Sequence, residues 1–223
     1  MIRRSCVFAA LIAAAALSGC GSDKEPTLGG KLLGEAVKLA SASRTAKAAP
    51  RSAITRAELA AYKTPMIMAE IPSIGFFTFV VPYGQNGDVE TWASTDDKTI
   101  AFRQGVVVGT RGFGGDMMQA QAPTIGQIAS GSGTHQRIYY FTDGADRTLR
   151  FEFACTLANR GATAITVVER QHTVRHVTES CTGKSADFVN EYWLENGNFL
   201  RKSNQLLNLQ WGPLVLSRVV DKG

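Results

Sequence analysis

The chain has 223 residues, a formal net charge of +5, 44% hydrophobic residues and 4 cysteines. That apolar content can bury one folded core in a single domain. The modest positive charge makes no case for a nucleic-acid partner.

The N-terminus reads first as an address. Arg3 and Arg4 precede VFAALIAAAAL, an apolar run of 11 residues from Val7 to Leu17. This suits a secretory leader and is short of the roughly 20 residues a membrane span needs. The run ends at Leu17-Ser18-Gly19-Cys20, which resembles a bacterial lipobox. The resemblance implies cleavage before Cys20, diacylation of its sulfur and acylation of its new amino group, so residues 1–19 are expected to be a lipoprotein signal peptide. Each buried methylene contributes about 0.8 kcal/mol, so several acyl chains make the attachment effectively permanent. Gly21 follows the cysteine where an Asp would signal inner-membrane retention. By lipoprotein sorting rules this favours the outer membrane, facing the periplasm. Without residues 1–19 the chain loses Arg3 and Arg4, and 204 residues at +3 remain.

Residues 20–52 are rich in Ala, Ser, Lys and Gly and lack aromatics. They read as a flexible tether, with a loose helical pattern around Leu32–Leu39. A single β-rich domain is expected over 53–223. Thr55-Arg56-Ala57-Glu58 is a capping-box pattern ahead of Leu59, predicting a short helix over about 54–62. From Met66 onward the signals are β. FFTFVV is a buried strand, and Gln85-Asn86-Gly87-Asp88 carries a hairpin pair leading into VETWAS. TIAF, RQG and VVVGT read as a second hairpin. RIYYFTD turns through Gly144 into TLRFEFACTL, where Leu149, Phe151, Phe153, Cys155 and Leu157 alternate with Arg150, Glu152 and Thr156. Cys155 therefore points inward. In GATAITVVERQHTVRHVTES the alternation slips near Val168–Gln171, predicting a bulge or sharp bend. DFVNEYWLE, the turn NGN, FLRKSNQ and PLVLSRVV complete the pattern. The expectation is an all-β fold, an antiparallel meander curled into a barrel-like or sandwich domain behind a short N-terminal helix.

Cys6 leaves with the leader and Cys20 takes the lipid, leaving Cys155 and Cys181 as two thiols in an oxidising compartment. A disulfide is expected, contributing ~3.5 kcal/mol in the loop-entropy description. If one strand separated them the cysteines would sit about 10 Å apart, too far to bridge. Either their strands are adjacent or Cys181 lies in a loop folding over the sheet end.

Chemistry-bearing patterns are few. His172 and His176 lie four apart, but no third ligand joins them at metal-site spacing, and exposed histidines are the expectation in this β stretch. No metal or cofactor is expected. There is no Gly-x-Ser-x-Gly elbow. Gly112-Phe113-Gly114-Gly115 has Met117 where a phosphate loop needs its third glycine, and it reads as a turn. Glu179 is a catalytic candidate only by its place beside Cys181.

Three segments together resemble the YjbF/GfcB family of capsule and exopolysaccharide lipoproteins. They are ETWASTDDKTIAFRQGVVVGTRGFGGDM, with Trp92, Gly105, Thr110, Gly112 and Asp116; TLRFEFAC through VTESC, with Cys155, Glu179 and Cys181; and NEYWLENGNFLRKSNQ, with Asn190, Tyr192, Trp193, Gly197, Ser203 and Gln205. With the lipobox and TRAELAAY, the resemblance covers about residues 54–220, and LLNLQWGPLVLS departs most from it. It implies a periplasmic β domain on the outer membrane, working in production or export of surface polysaccharide with partner lipoproteins and an exporter. It supplies no catalytic residue. Trp92, Asp116, Glu179, Asn190, Tyr192, Trp193 and Gln205 become candidate contacts for the glycan or a partner protein.

Three readings follow: a non-enzymatic accessory in polysaccharide production or export; a glycan-modifying enzyme, with Glu179, Asp116 and Glu191 the first groups to test; and a hollow barrel carrying a lipid or small ligand.

Overall fold

A computed structural model describes residues 54–143, 145 and 147–221. The leader, the lipobox with Cys20, the tether and the pivot of the turn at Gly144 lie outside the described residues. Twelve antiparallel strands form one sheet: β1 Met66–Ile71, β2 Phe76–Asn86, β3 Val89–Ala93, β4 Thr99–Arg103, β5 Val106–Arg111, β6 Met117–Gln121, β7 Thr134–Thr142, β8 Thr148–Val167, β9 Arg170–Gly183, β10 Asp187–Glu195, β11 Phe199–Asn208 and β12 Gly212–Val220. Neighbours are consecutive in the chain, and β12 pairs with β1, as in Ala69 opposite Leu216. The order is a continuous up-and-down meander closing on itself, and the ring breaks between β5 and β6.

Side chains bridge that seam. The Met117 amide donates to Thr110 Oγ1 at 3.0 Å, and Arg111 Nη1 donates to the Met117 carbonyl at 3.0 Å. Of the two expected architectures, the fold is therefore a nearly closed barrel rather than a sandwich. Closure removes most of the open edge that an isolated sheet would present.

The interior is filled. Ile100, Phe102, Val107, Phe113, Met117, Tyr139, Phe153 and Leu214 are almost fully buried in one cluster. The carrier reading, which needs a hollow lumen, is corrected by this packing.

The two helices seal separate regions. In α1, Arg56–Leu59, Thr55 and Glu58 form the expected capping box, with the Thr55 amide donating to Glu58 Oε2 at 2.8 Å. Leu59 packs with Met66, Phe79, Val81, Val167 and Val219, and burying a leucine side chain stabilises by about 2 kcal/mol. In α2, Ile125–Ser130, Thr124 and Gln127 form a second capping box. Ile125 and Ile128 pack on Val106, Leu157, Val177, Tyr192 and Leu194. Gly131 ends α2 with φ of 68°, where a side chain would meet the Asn159 Cβ at 2.8 Å.

The slip in alternation near Val168 is a hairpin turn rather than a bulge within one strand. β8 and β9 pair through Val167 opposite Arg170, and the turn residues Val168 and Glu169 have φ of 42° and 63°. This is the left-handed pair that a two-residue hairpin demands, at a cost for a β-branched valine. Arg56 holds the tip. Its guanidinium donates to the Val167, Val168 and Val219 carbonyls at 2.7, 3.2 and 2.6 Å, and its amide donates to Glu169 Oε2 at 2.8 Å.

Candidate functional site

Strand alternation puts His135, Arg137, Tyr139 and Phe141 of β7 on the inner face. Across β8, β9 presents Glu179 and Cys181 to the same interior, and β10 presents Asn190 and Tyr192. Register places Cys155 opposite Cys181 and Leu157 opposite Glu179, and Asn190 opposite Glu179. The two cysteines are bonded, with Cα atoms 4.1 Å apart. Adjacent strands, not a folded-over loop, provide the bridge.

Glu179 is fully buried, with Arg137 and Asn190 at 1% exposure and Tyr192 at 0%. Its Oε1 accepts from Arg137 Nε at 2.6 Å and lies 2.6 Å from His135 Nε2. Its Oε2 accepts from Asn190 Nδ2 and from the Tyr192 hydroxyl, both at 2.7 Å. Arg137 also donates to the hydroxyls of Tyr139 and Tyr192, each at 2.8 Å. Burial pushes the Glu179 carboxyl up, but the Arg137 guanidinium, with bonds from His135 and Asn190, overrides it and brings it down to about 2. Burial also raises the Tyr192 hydroxyl well above its ordinary range despite Arg137, which keeps it a neutral donor.

This arrangement holds Glu179 as a buried, ion-paired carboxylate. Both Glu179 oxygens are engaged, and a general acid or base needs a pKa near the working pH and access to substrate. The network is an internal strut in which one cation balances one anion and the hydroxyls satisfy what remains.

Gln205 acts likewise. Its Oε1 accepts from the Val107 amide at 2.9 Å, and its Nε2 donates to the Gly105 carbonyl and Ser203 Oγ, both at 3.0 Å. It ties β11 to β5 across the interior. Asn190 Oδ1 accepts from the Leu206 amide at 2.8 Å, continuing the pairing of β10 with β11 beyond the ladder. Asp116 closes the glycine turn, accepting from the Gly112 and Phe113 amides at 2.8 and 2.9 Å. Glu191 bonds His176 Nε2 at 3.1 Å and Asn204 Nδ2 at 2.8 Å.

The aromatic candidates offer no open face for a sugar ring. Trp92 is 3% exposed, with the Phe102 edge at 6.2 Å and the Arg218 guanidinium 5.0 Å over its ring. Half-buried Trp193 stacks on His176 at 4.9 Å and carries Lys202 Nζ at 5.2 Å. Glu179, Asn190, Tyr192, Gln205 and Trp92 thus lie at inward strand positions, almost fully buried, and each is bonded or packed within the barrel.

The expectation of exposed histidines is corrected too. Each histidine pairs with a carboxylate: His135 with Glu179, His172 with Glu195 and His176 with Glu191. His172 is 3% exposed. His135, Cys155 and Glu179 cluster closely enough to suggest a metal site, but the Cys155 sulfur is bonded to Cys181, which leaves no thiolate ligand.

An accessible surface lies nearby. A groove of about 880 Å³ along β7–β9 is lined by residues that include Thr134, Gln136, Arg150, Glu152, Thr156, Ser180, Thr182 and Lys184. Its hydroxyl, amide and charged groups can donate to and accept from a hydroxyl-rich ligand.

The family sequence model described as "Group 4 capsule polysaccharide lipoprotein gfcB, YjbF" matches residues 34–218. The chain belongs to this family. A similar fold is seen in a solved structure, the hypothetical lipoprotein YmcC from Escherichia coli (K12). The two chains are 13% identical, with a TM-score of 0.66 over 75% of this chain and 89% of that one. No curated protein sequence matches the chain. Membership makes this a capsule-polysaccharide lipoprotein, consistent with a place in the cell envelope.

Arg137 escaped the sequence reading, and the inward placement of His135 with it, although the signal was present. In HQRIYYF they share parity with Tyr139 and Phe141, so period two alone places them inside. An inward arginine also demands a buried carboxylate partner. Thr124-Ile125-Gly126-Gln127 was likewise a legible capping box for α2.

Proposed function

We propose that this YjbF-family chain is a non-enzymatic accessory in capsule or exopolysaccharide production or export, anchored through lipidated Cys20 to the outer membrane and facing the periplasm. The observation that carries the non-enzymatic reading is the saturation of Glu179: four neighbouring groups engage its two buried oxygens. The other carboxylates considered for catalysis, Asp116 and Glu191, are committed to structural bonds as well. The groove along β7–β9 is the surface assigned to the glycan or to an export protein, because its hydroxyl, amide and charged side chains, set among apolar ones such as Phe151 and Ala154, suit a hydroxyl-rich partner.

The test is complementation of a gene deletion, reading surface polysaccharide. Thr156 and Ser180 are exposed cross-strand partners in the groove. The double variant T156R/S180R is expected to accumulate as folded protein and fail to restore polysaccharide. Cys20→Ala is expected to release the protein into the soluble fraction. Normal polysaccharide in the deletion strain contradicts the proposal.

A further inference from the structure

We propose that the recess between α1 and the ends of β9, β11 and β12 binds one oxyanion of a small acidic ligand, a carboxylate or a phosphate, through Arg170 and His172. The site is distinct from the groove and independent of the function proposed above.

The recess has a volume of about 210 Å³, and its lining includes Arg56, Arg170, His172, Arg201 and Asp221. Three guanidinium groups thus share the lining with one carboxylate. Two of the three are committed. Arg56 donates to three backbone carbonyls, and Arg201 donates to Glu195, the Arg218 carbonyl and Asp221. The exposed Arg170 side chain makes no hydrogen bond or close ion pair among the described residues, and its counter-charge at longer range is Asp221.

His172 supplies the second half of the site. Its Nδ1 lies 2.9 Å from Glu195 Oε1. Its Nε2 is buried and has no hydrogen-bond partner among the described residues. Leaving such an atom unpaired is unfavourable. The Glu195 carboxylate fixes the proton on Nδ1, so Nε2 is a lone pair in the neutral ring and a donor in the imidazolium. The charged groups around it are Glu195 on β10, Arg201 on β11, Asp221 after β12, Arg56 in α1 and Arg170 on its own strand. Arg56 and Arg201 are held by carbonyls and carboxylates, which leaves Arg170 as the lining cation without a side-chain partner and favours an oxyanion over a cation. An oxyanion accepting from Nε2–H of the imidazolium and from Arg170 gives both groups a partner.

The probes are glucuronate, glycerol 1-phosphate and neutral glucose, titrated into the full-length protein while the His172 imidazole signals are followed by NMR. At least one of the two anions is expected to produce saturable shifts, and glucose none; the tighter of the two identifies the oxyanion. Arg170→Ala, at an exposed position, and His172→Asn, which keeps a donor toward Glu195, are each expected to weaken binding about tenfold. No saturable shift with either anion, or unchanged affinity in R170A, overturns the proposal.

Discussion

Glu179 is a charge with no water around it, so its neighbours decide its worth. Removing it alone leaves Arg137 buried without a counter-charge, and Glu179→Ala is expected to cost about 3–5 kcal/mol in urea unfolding. Its titration gives a second signature. The folded carboxyl sits at about 2, below the usual carboxylate value of about 4.3 in an unfolded chain. The stabilisation is therefore fully present above that unfolded value and is lost as pH falls through about 2. Unfolding free energy measured from pH 6 down to pH 2 should drop by about 3 kcal/mol from this group, and Glu179→Gln should flatten that slope. Gln205 is a neutral counterpart. Gln205→Leu strands the Val107 amide and the Gly105 carbonyl, an expected loss of about 1–3 kcal/mol in the same assay.

At the level of elements, the β8–β9 hairpin carries two local devices. The Cys155–Cys181 bridge closes a sequence separation of 26, and replacing both cysteines by alanine should lower stability by ~3.5 kcal/mol on loop entropy. The hairpin tip is held by Arg56. Arg56→Ala should accelerate amide exchange in residues 165–172 while leaving the interior strands protected. Much at this scale was legible beforehand. Asn86-Gly87, Asn196-Gly197 and the alternation from Phe151 to Leu157 specified turns and faces through chemistry local to each segment. The Thr55–Glu58 cap was local too. What escaped depended on distant partners: the pairing of β1 with β12, the seam between β5 and β6, and the carboxylate awaiting Arg137. Those depend on contacts between residues far apart in the chain, and the alternation of one strand does not name its neighbour. Polar residues that the family resemblance made look functional, such as Asn190 and Gln205, proved to satisfy interior backbone groups, because a single strand pattern cannot distinguish a polar strut from a polar contact.

The whole molecule is a packed barrel. Because Phe102, Val107, Phe113 and Leu214 fill its interior, the surfaces open to a partner among the described residues are the outer face and the strand ends. The central claim is that the buried charges hold this shape and do no chemistry. The measurement that tests it most directly replaces both at once, R137M/E179L, because exchanging a buried ion pair for apolar residues of similar volume often preserves or raises stability. The double variant, shown to be folded by its unfolding transition, is introduced into the deletion strain, and surface polysaccharide is measured. The account predicts wild-type output. A folded, correctly localised double variant that yields no polysaccharide would contradict it and assign Glu179 or Arg137 a role in the reaction itself.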